Sequence, residues 1–269
     1  MKQDIRDHAF ENISEEKAAA LEDTLWWLQG RKYIIRNYLQ AAIKTKKIEK
    51  IMDVGCGSGG NFDVLAEFAK VVAVERSHPL VMRARARGIA EAVYEKDFFD
   101  LPDYDKIDLF TLFDVLEHIE YDFEFFKKIK QIAPPNHMLL LSVPACQFLY
   151  SDHDRLLHHY RRYSRKTLHA LLRDNGYEIT RSSYFMFFLF PFALFSRFKE
   201  KVMRLFKKKQ TSVNVGEVPN WLNRILTKIL DMESRFSRHF SFPIGLWIFV
   251  LAKSTTPDHR MHTGPDPRG

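Results

Sequence analysis

Cysteine is scarce: Cys56 and Cys146 are the only two among 269 residues, so no disulfide framework holds this chain together. A reducing compartment fits that scarcity, and Cys56 is expected to serve as a small residue in a tight loop rather than as a reactive thiol. The opening stretch "MKQDIRDHAFENISEEKAAALEDTLWW" lacks the apolar core of a signal peptide, which sets cytoplasmic residence as the expectation. The apolar run Tyr184–Phe195 falls well short of the roughly 20 residues that a membrane-spanning helix needs. A net charge of +7 and a pI near 9.3 come without a recognised nucleic-acid motif, so nucleic acid is not an expected partner. Complete metal-ligand patterns such as H-E-x-x-H are missing too, and no metal is expected. What remains is a chain with 46% hydrophobic residues, long enough for one main domain with a sizeable core.

The informative stretch is Lys50–Gly60, "KIMDVGCGSGG". An apolar run followed at once by spaced glycines reads as a buried strand ending in a tight turn that opens a helix, here about Phe62–Ala69. Such a turn lets a ligand approach the main chain, and the helix start offers unpaired N–H groups. Two cofactors compete for it. Gly55, Gly57 and Gly60 fit the dinucleotide spacing G-x-G-x-x-G, with Glu75 placed 20 residues past Gly55 to hold ribose hydroxyls. Asp53, two residues before the first glycine, tilts the balance. An acid there disfavours a pyrophosphate and suits a cationic ammonium or sulfonium.

The ordered set of segments resembles class I S-adenosylmethionine-dependent methyltransferases over roughly Ile34–Tyr184. The D-x-G-x-G-x-G pattern of Asp53, Gly55, Gly57 and Gly59 resembles that family's cofactor loop. "VVAVERS" is similar to its second strand, with Glu75 as the ribose acid and Arg76 beside it. "EKDFFDLP" resembles the adenine-binding turn, Asp97 meeting the exocyclic amine and Phe98 packing near the ring. "IDLFTLFDVLEHI" and "LLLSVPA" resemble the fourth and fifth strands. The resemblance implies a Rossmann-like α/β fold: a seven-stranded, mostly parallel sheet with helices on both faces and a helical insertion near the C-terminus. It also implies S-adenosylmethionine as cofactor, bound by Asp53, Gly55, Cys56, Gly57, Gly59, Glu75, Arg76, Asp97, Phe98 and Asp114.

Alternating patterns along the chain agree with a parallel sheet covered by helices. A first helix is predicted over about Glu15–Lys44, broken near Gly30. Strands are predicted near Ile48–Asp53, Val71–Glu75, Ala92–Tyr94, Ile107–Phe113 and Met138–Val143. A later helix takes Ser164 as N-cap and Gly176 as C-cap. The expected organisation is an N-terminal cap (1–45), a core (46–184 with 244–254), an insertion (185–243) and a disordered tail (255–269). The insertion opens with the phenylalanine-dense "FMFFLFPFALFSRF". Segment 197–209 then carries Lys or Arg at seven positions against one acid. Aromatic bulk beside basic charge suits contact with an anionic membrane surface, and a plain helical lid is the alternative.

Chemistry is expected beyond the carboxyl ends of the strands. Asp114, Glu117 and His118 follow the fourth strand. A similar "LEH" stretch in ubiquinone-pathway O-methyltransferases lies near the acceptor, and some of those proteins bind a divalent ion there. "YSDHDRLLHHYRRYSR" follows the fifth strand and resembles a stretch in a poorly characterised branch of class I methyltransferases. His118 and His153 are the candidate bases for an acceptor proton. Glu117, Asp152, Arg161 and Arg162 are the candidate acceptor contacts, the arginines meeting an anionic group. Trp26, Trp27 and Arg31 are candidates to close over the cofactor. The resulting expectation is methyl transfer to a small acceptor that is apolar, aromatic or lipid-linked, with peripheral membrane contact. The alternatives are a nicotinamide-linked oxidoreductase and a catalytically silent scaffold that docks on membranes.

Overall fold

A computed structural model of the chain describes residues 24–101, 106–196 and 218–255. Strands β1 (Lys50–Val54), β2 (Lys70–Glu75), β3 (Ala92–Glu95), β4 (Leu109–Phe113) and β5 (Met138–Pro144) run parallel. Strands β6 (Tyr177–Phe185) and β7 (Trp247–Ser254) complete one sheet in the order β3-β2-β1-β4-β5-β7-β6, with β7 antiparallel to both its neighbours. The helices include α1 (Trp26–Thr45), α2 (Phe62–Ala66), α3 (His78–Ala86), α4 (Asp122–Ile132), α5 (Asp152–Leu156), α6 (Arg165–Asp174) and α7 (Asn220–Phe236). The expected Rossmann-like α/β fold is what the chain adopts. None of the described helices is long and apolar enough to cross a membrane.

Strand periodicity explains why helices cover both faces. Successive side chains point to opposite sides, so Met138 and Leu140 of β5 join one apolar core while Leu139 and Leu141 join the other. The first core also takes Ile34, Ile35 and Leu39 of α1 and Leu230 of α7. The second takes Phe125, Phe126 and Ile129 of α4 with Leu168 and Leu172 of α6. Both faces of β5 are buried, which is why its sequence is a continuous apolar run rather than an alternation. The order reverses between β1 and β4, and the glycine loop leaves the sheet at that switch point.

The predicted break near Gly30 is corrected: α1 runs through it without interruption. Gly30 is there for close packing, since a Cβ on it would lie 2.1 Å from Cδ1 of Leu230 on α7. The helix of the cap and the helix of the insertion are therefore in direct contact. Asn37 Nδ2 donates to the Ser234 carbonyl at 2.7 Å, and the Trp26 amide donates to Asn223 Oδ1 at 2.9 Å. The sixth helix start is as predicted, with Ser164 Oγ accepting from the Thr167 amide. The helix ends on Asn175, and Gly176 follows in the left-handed region (φ +69°). Residues 15–23 of the predicted first helix, the basic segment 197–209 and the tail after residue 255 lie outside the described residues.

Below the sheet, His137 is buried between the Pro134 carbonyl (2.8 Å from Nδ1) and the Tyr177 hydroxyl (2.8 Å from Nε2). Burial lowers its pKa to about 4, against the opposing pull of the Pro134 carbonyl. Between that value and about 6.5 the unfolded chain binds a proton that the folded chain refuses, so stability falls with falling pH. This contribution is whole above about pH 6.5 and declines towards pH 4, by on the order of 3 kcal/mol. We predict a steeper loss of melting temperature between pH 7 and pH 5 for the native chain than for His137→Asn. Parallel curves would refute the assignment.

Candidate active site

The loops after β1, β2, β3 and β4 open on one side of the sheet. Among them lies a cavity of about 470 Å³ lined by Gly55, Glu75, Asp97, Phe98, Val115 and His118, with Arg76 and Tyr121 at its edge. That volume is in the range of sites that bury a cofactor-sized molecule. A second cavity of about 400 Å³, between β6 and residues 237–241, contains none of these strand-end residues.

The loop from Gly55 to Gly60 is held by backbone geometry that only glycine adopts readily. Gly55, Gly57 and Gly59 all have positive φ (+65°, +58° and +77°). Their surroundings differ. A Cβ on Gly59 would meet the Phe62 ring at 2.6 Å, so that glycine seats α2 against the loop. A Cβ on Gly57 would meet no protein atom within 4 Å, which leaves a cradle where a ligand can approach the main chain. Cys56 is buried beneath the loop, as a small residue.

Three acids stand at or just past the ends of β1, β2 and β3. Asp53 is buried at the end of β1, where its Oδ1 accepts from the Thr111 hydroxyl at 2.7 Å. Glu75, at the tip of β2, accepts from the Gly57 amide at 2.9 Å and from the amides of Arg76 and Ser77. Its carboxylate thus ties strand tip to loop while lining the cavity. Asp97 Oδ1 caps the short turn Phe98–Asp100 through the Phe99 amide. Phe98 is buried there, its ring 4.6 Å from that of Phe125.

Asp114 behaves differently from its expectation as a cofactor contact. It sits in the left-handed region (φ +56°), and its carboxylate accepts from Arg31, from the Ser142 hydroxyl (3.2 Å) and from Trp247 Nε1 (2.9 Å). It is absent from the cavity lining, so its carboxylate fastens α1, β5 and β7 to the end of β4. Arg31, with Trp27 packed 5.3 Å from it, reaches the site through this pairing.

The segment after β5 also differs from expectation. Arg161 is held by Asp122 (2.8 Å) and the Glu120 carbonyl (2.6 Å), and Arg162 by Asp154 (2.8 Å). Both guanidinium groups are therefore engaged by the protein's own acids. Asp152 pairs with Arg155 on the surface, and His153 is exposed on α5. His159, which sequence reasoning passed over, is the histidine that meets His118, with ring centroids 4.6 Å apart. Its Nδ1 lies 3.0 Å from the fully buried Asp154. The run His158–His159 offered no signal to choose between neighbours. The choice is made by the backbone, which turns left-handed at His158 (φ +52°).

The methyltransferase-domain family model matches residues 26–182, more than half of the chain and all of β1 to β5. The chain belongs to this family. It is a class I methyltransferase whose methyl donor is S-adenosylmethionine, and the nicotinamide alternative is set aside. Comparison with curated proteins returned no significant match. Among solved structures, the plantazolicin methyltransferase BpumL in complex with SAH is similar, at 13% identity and TM-score 0.55, over 94% of this chain and 95% of that one. The Haloferax volcanii protein solved with the Trm112 methyltransferase activator is similar at 17% identity and TM-score 0.58, over 95% and 99%. A SAM-dependent methyltransferase from Archaeoglobus fulgidus is similar at 15% identity and TM-score 0.51, over 83% and 94%.

The residues present fit the donor. Gly57 leaves the open approach to the main chain, Asp53 supplies an acid beside a sulfonium, and Glu75, Asp97 and Phe98 line the adjoining cavity. In the methyltransferase, Gly57→Val places a branched side chain in that opening. The left-handed backbone adds about 1–2 kcal/mol of strain. We expect adenosylhomocysteine affinity to fall at least about a hundredfold in calorimetry, from a domain that still melts cooperatively. Retained affinity would displace the cofactor from this loop. Gly59→Ala should act on folding instead, lowering the melting temperature because the Phe62 ring must move.

Proposed function

We propose that this methyltransferase acts on an apolar, lipid-like or aromatic acceptor presented at an anionic membrane surface. The observation that carries this reading is the aromatic surface exposed after β5 and after β6. Phe148, on the turn after β5, is 67% exposed, and its ring lies 6.5 Å from that of Phe190. Residues 190–196 are helical and present Phe192 and Phe195, 74% and 71% exposed. Soluble proteins rarely leave so many large rings together in water. The Glu233 carboxylate of α7 anchors the start of this segment by accepting from the amides of Phe187 (3.0 Å) and Phe188 (3.2 Å). In sequence the rings lead directly into the basic segment 197–209, whose charge complements anionic headgroups.

The bound donor supplies an electrophilic methyl carbon, with neutral thioether as the leaving group. The protein's own part is alignment, which in well-oriented systems is worth about 7–11 kcal/mol. Glu75 braces the glycine loop through the Gly57 amide, Asp53 and Asp97 are the further acids proposed to meet the donor, and Asp114 holds α1 at the end of β4 through Arg31. His118 lines the cavity and faces the acceptor side, where it is the candidate to accept an acceptor proton. His153 is exposed on α5, and its neighbour His159 lies beside His118.

The paired substitution Phe192→Asp with Phe195→Asp should cut co-sedimentation with phosphatidylglycerol-containing vesicles at least about tenfold, because each buried phenylalanine is worth about 1.5–3 kcal/mol. Adenosylhomocysteine affinity should be unchanged. With methyl-labelled donor and a membrane extract, label should enter the organic phase. Label confined to aqueous peptide would overturn the apolar acceptor, and vesicle binding without turnover on any acceptor would favour the silent scaffold.

A further inference from the structure

The cavity of about 400 Å³ between β6 and residues 237–241 shares no residue with the cofactor cavity. Arg181, Arg238 and His239 line it, and no aspartate or glutamate does. We propose that this cavity binds a phosphate group, carried either by a lipid headgroup or by a small soluble phosphate. The inference is independent of the acceptor reading, because it uses different residues on a different part of the fold.

A fault in strand pairing brings Arg181 to this face. Side chains two apart on a regular strand share a side, so Arg181 would follow Tyr177 and Ile179 into the core under α6. Instead the register of β6 against β7 shifts between Ile179 and Arg181, and such a bulge re-aims the side chain that follows it. Ser182 now meets His169 of α6 (2.9 Å), while Arg181 turns to α1 and α7. Its guanidinium lies 4.5 Å from the centre of the Tyr38 ring. Its Nη1 and Nη2 donate to the carbonyls of Asn37 (3.1 Å) and Ser237 (2.6 Å). A cation on the edge strand of the sheet is thus fixed in one orientation.

Asn37 holds a second cation beside the first. Its backbone carbonyl accepts from Arg181, and its side-chain oxygen accepts from Arg238 Nε at 2.7 Å. Like charges gathered on one residue repel each other, and neither arginine has a carboxylate partner among the described residues. An anion in the cavity would relieve that repulsion. Only Nε of Arg238 donates to the protein among the described residues, so both of its Nη groups are available to a ligand. The hydroxyls of the lining are already committed: Thr45, Thr180, Ser183, Ser237 and Ser241 each donate to a backbone carbonyl. What the cavity offers is therefore cationic N–H donors, whose forked geometry matches phosphate oxygens. His239 adds an imidazole, and the Phe240 ring sets apolar surface beside the charges.

The test uses the full chain in phosphate-free buffer, titrated separately with inorganic phosphate, glycerol 3-phosphate and vesicles containing phosphatidic acid. Saturable binding of one phosphate group per chain is expected, with a melting temperature that rises as the ligand is added. Arg238 is exposed, so Arg238→Gln should still melt cooperatively while binding weakens at least about tenfold. Arg238→Lys keeps the charge without the fork and should fall between the two. Lys127→Gln, on α4 across the sheet, removes an equal charge and should leave the affinity unchanged. Binding of the soluble phosphates but not the vesicles assigns a small phosphate. Vesicle binding that Arg238→Gln weakens, without binding of inorganic phosphate, assigns a lipid headgroup. Absence of saturable binding to all three probes by the folded native chain, or binding that Arg238→Gln leaves unchanged, overturns the site. Adenosylhomocysteine affinity should be equal in the native chain and Arg238→Gln, so the cofactor reading stands or falls separately.

Discussion

The Asp114 carboxylate is the constraint around which the carboxyl end of this sheet is arranged. Three donors remote in sequence converge on it: Arg31 from α1, Ser142 from β5 and Trp247 from β7. An L-residue at φ +56° is strained, and such strain persists only where surrounding contacts over-determine it. Here they do. The carboxylate at this left-handed turn accepts from β5 and β7 as well as α1, so its charge is used to join elements. One consequence is positional. The next residues, Val115 to His118, start from a fixed exit direction at the end of β4, which brings His118 to the cavity wall and Glu117 against the loop after β5.

A second junction links the cap to the insertion. The packing of Leu230 on Gly30 makes α1 and α7 approach more closely than any side chain at position 30 would permit. Through α1, the same unit reaches Asp114, and through Glu233 it holds the phenylalanine segment that follows β6. Glu233 is buried, and burial raises its carboxyl despite the amides of Phe187 and Phe188 that favour the charged form. The aromatic surface is thus mechanically continuous with the strand ends that carry the cofactor cavity.

How much of this the sequence disclosed follows from the range of the interactions involved. The strands, the glycine loop and the acids Asp53, Glu75 and Asp97 were legible because each depends on local pattern: an apolar run, a turn that requires glycine, an acid at a strand tip. Five strands followed from that level, and the resemblance they carry implied the family and the remaining two. The role of Asp114 was not legible, since two of its donors, Ser142 and Trp247, come from strands paired only in three dimensions. Nor was Gly30, which read as a break because its partner Leu230 lies 200 residues on. The arginines of the post-β5 segment looked available for an anionic acceptor. Asp122 and Asp154 answer them, and one of those acids lies in another element altogether. His153 and His159 are chemically equal in sequence, and only the turn at His158 decides which one meets His118.

The electrostatics of the cradle explain why one glycine loop serves this donor rather than a dinucleotide. A pyrophosphate would bring negative charge to a helix start, where amides and dipole favour it. In this chain α2 is only five residues long, Phe62–Ala66, and offers little dipole. The Gly57 amide, which would otherwise face an anion, already donates to Glu75. Glu75 lines the cavity beside the loop, and Asp53 adds a second carboxylate, buried at the end of β1. At 4 Å, like charges repel by about 4 kcal/mol at an effective dielectric of 20, and a sulfonium at the same distance is attracted by as much. An acid at the end of β1 therefore favours a cationic cofactor over an anionic one, while the glycines open the main chain to it.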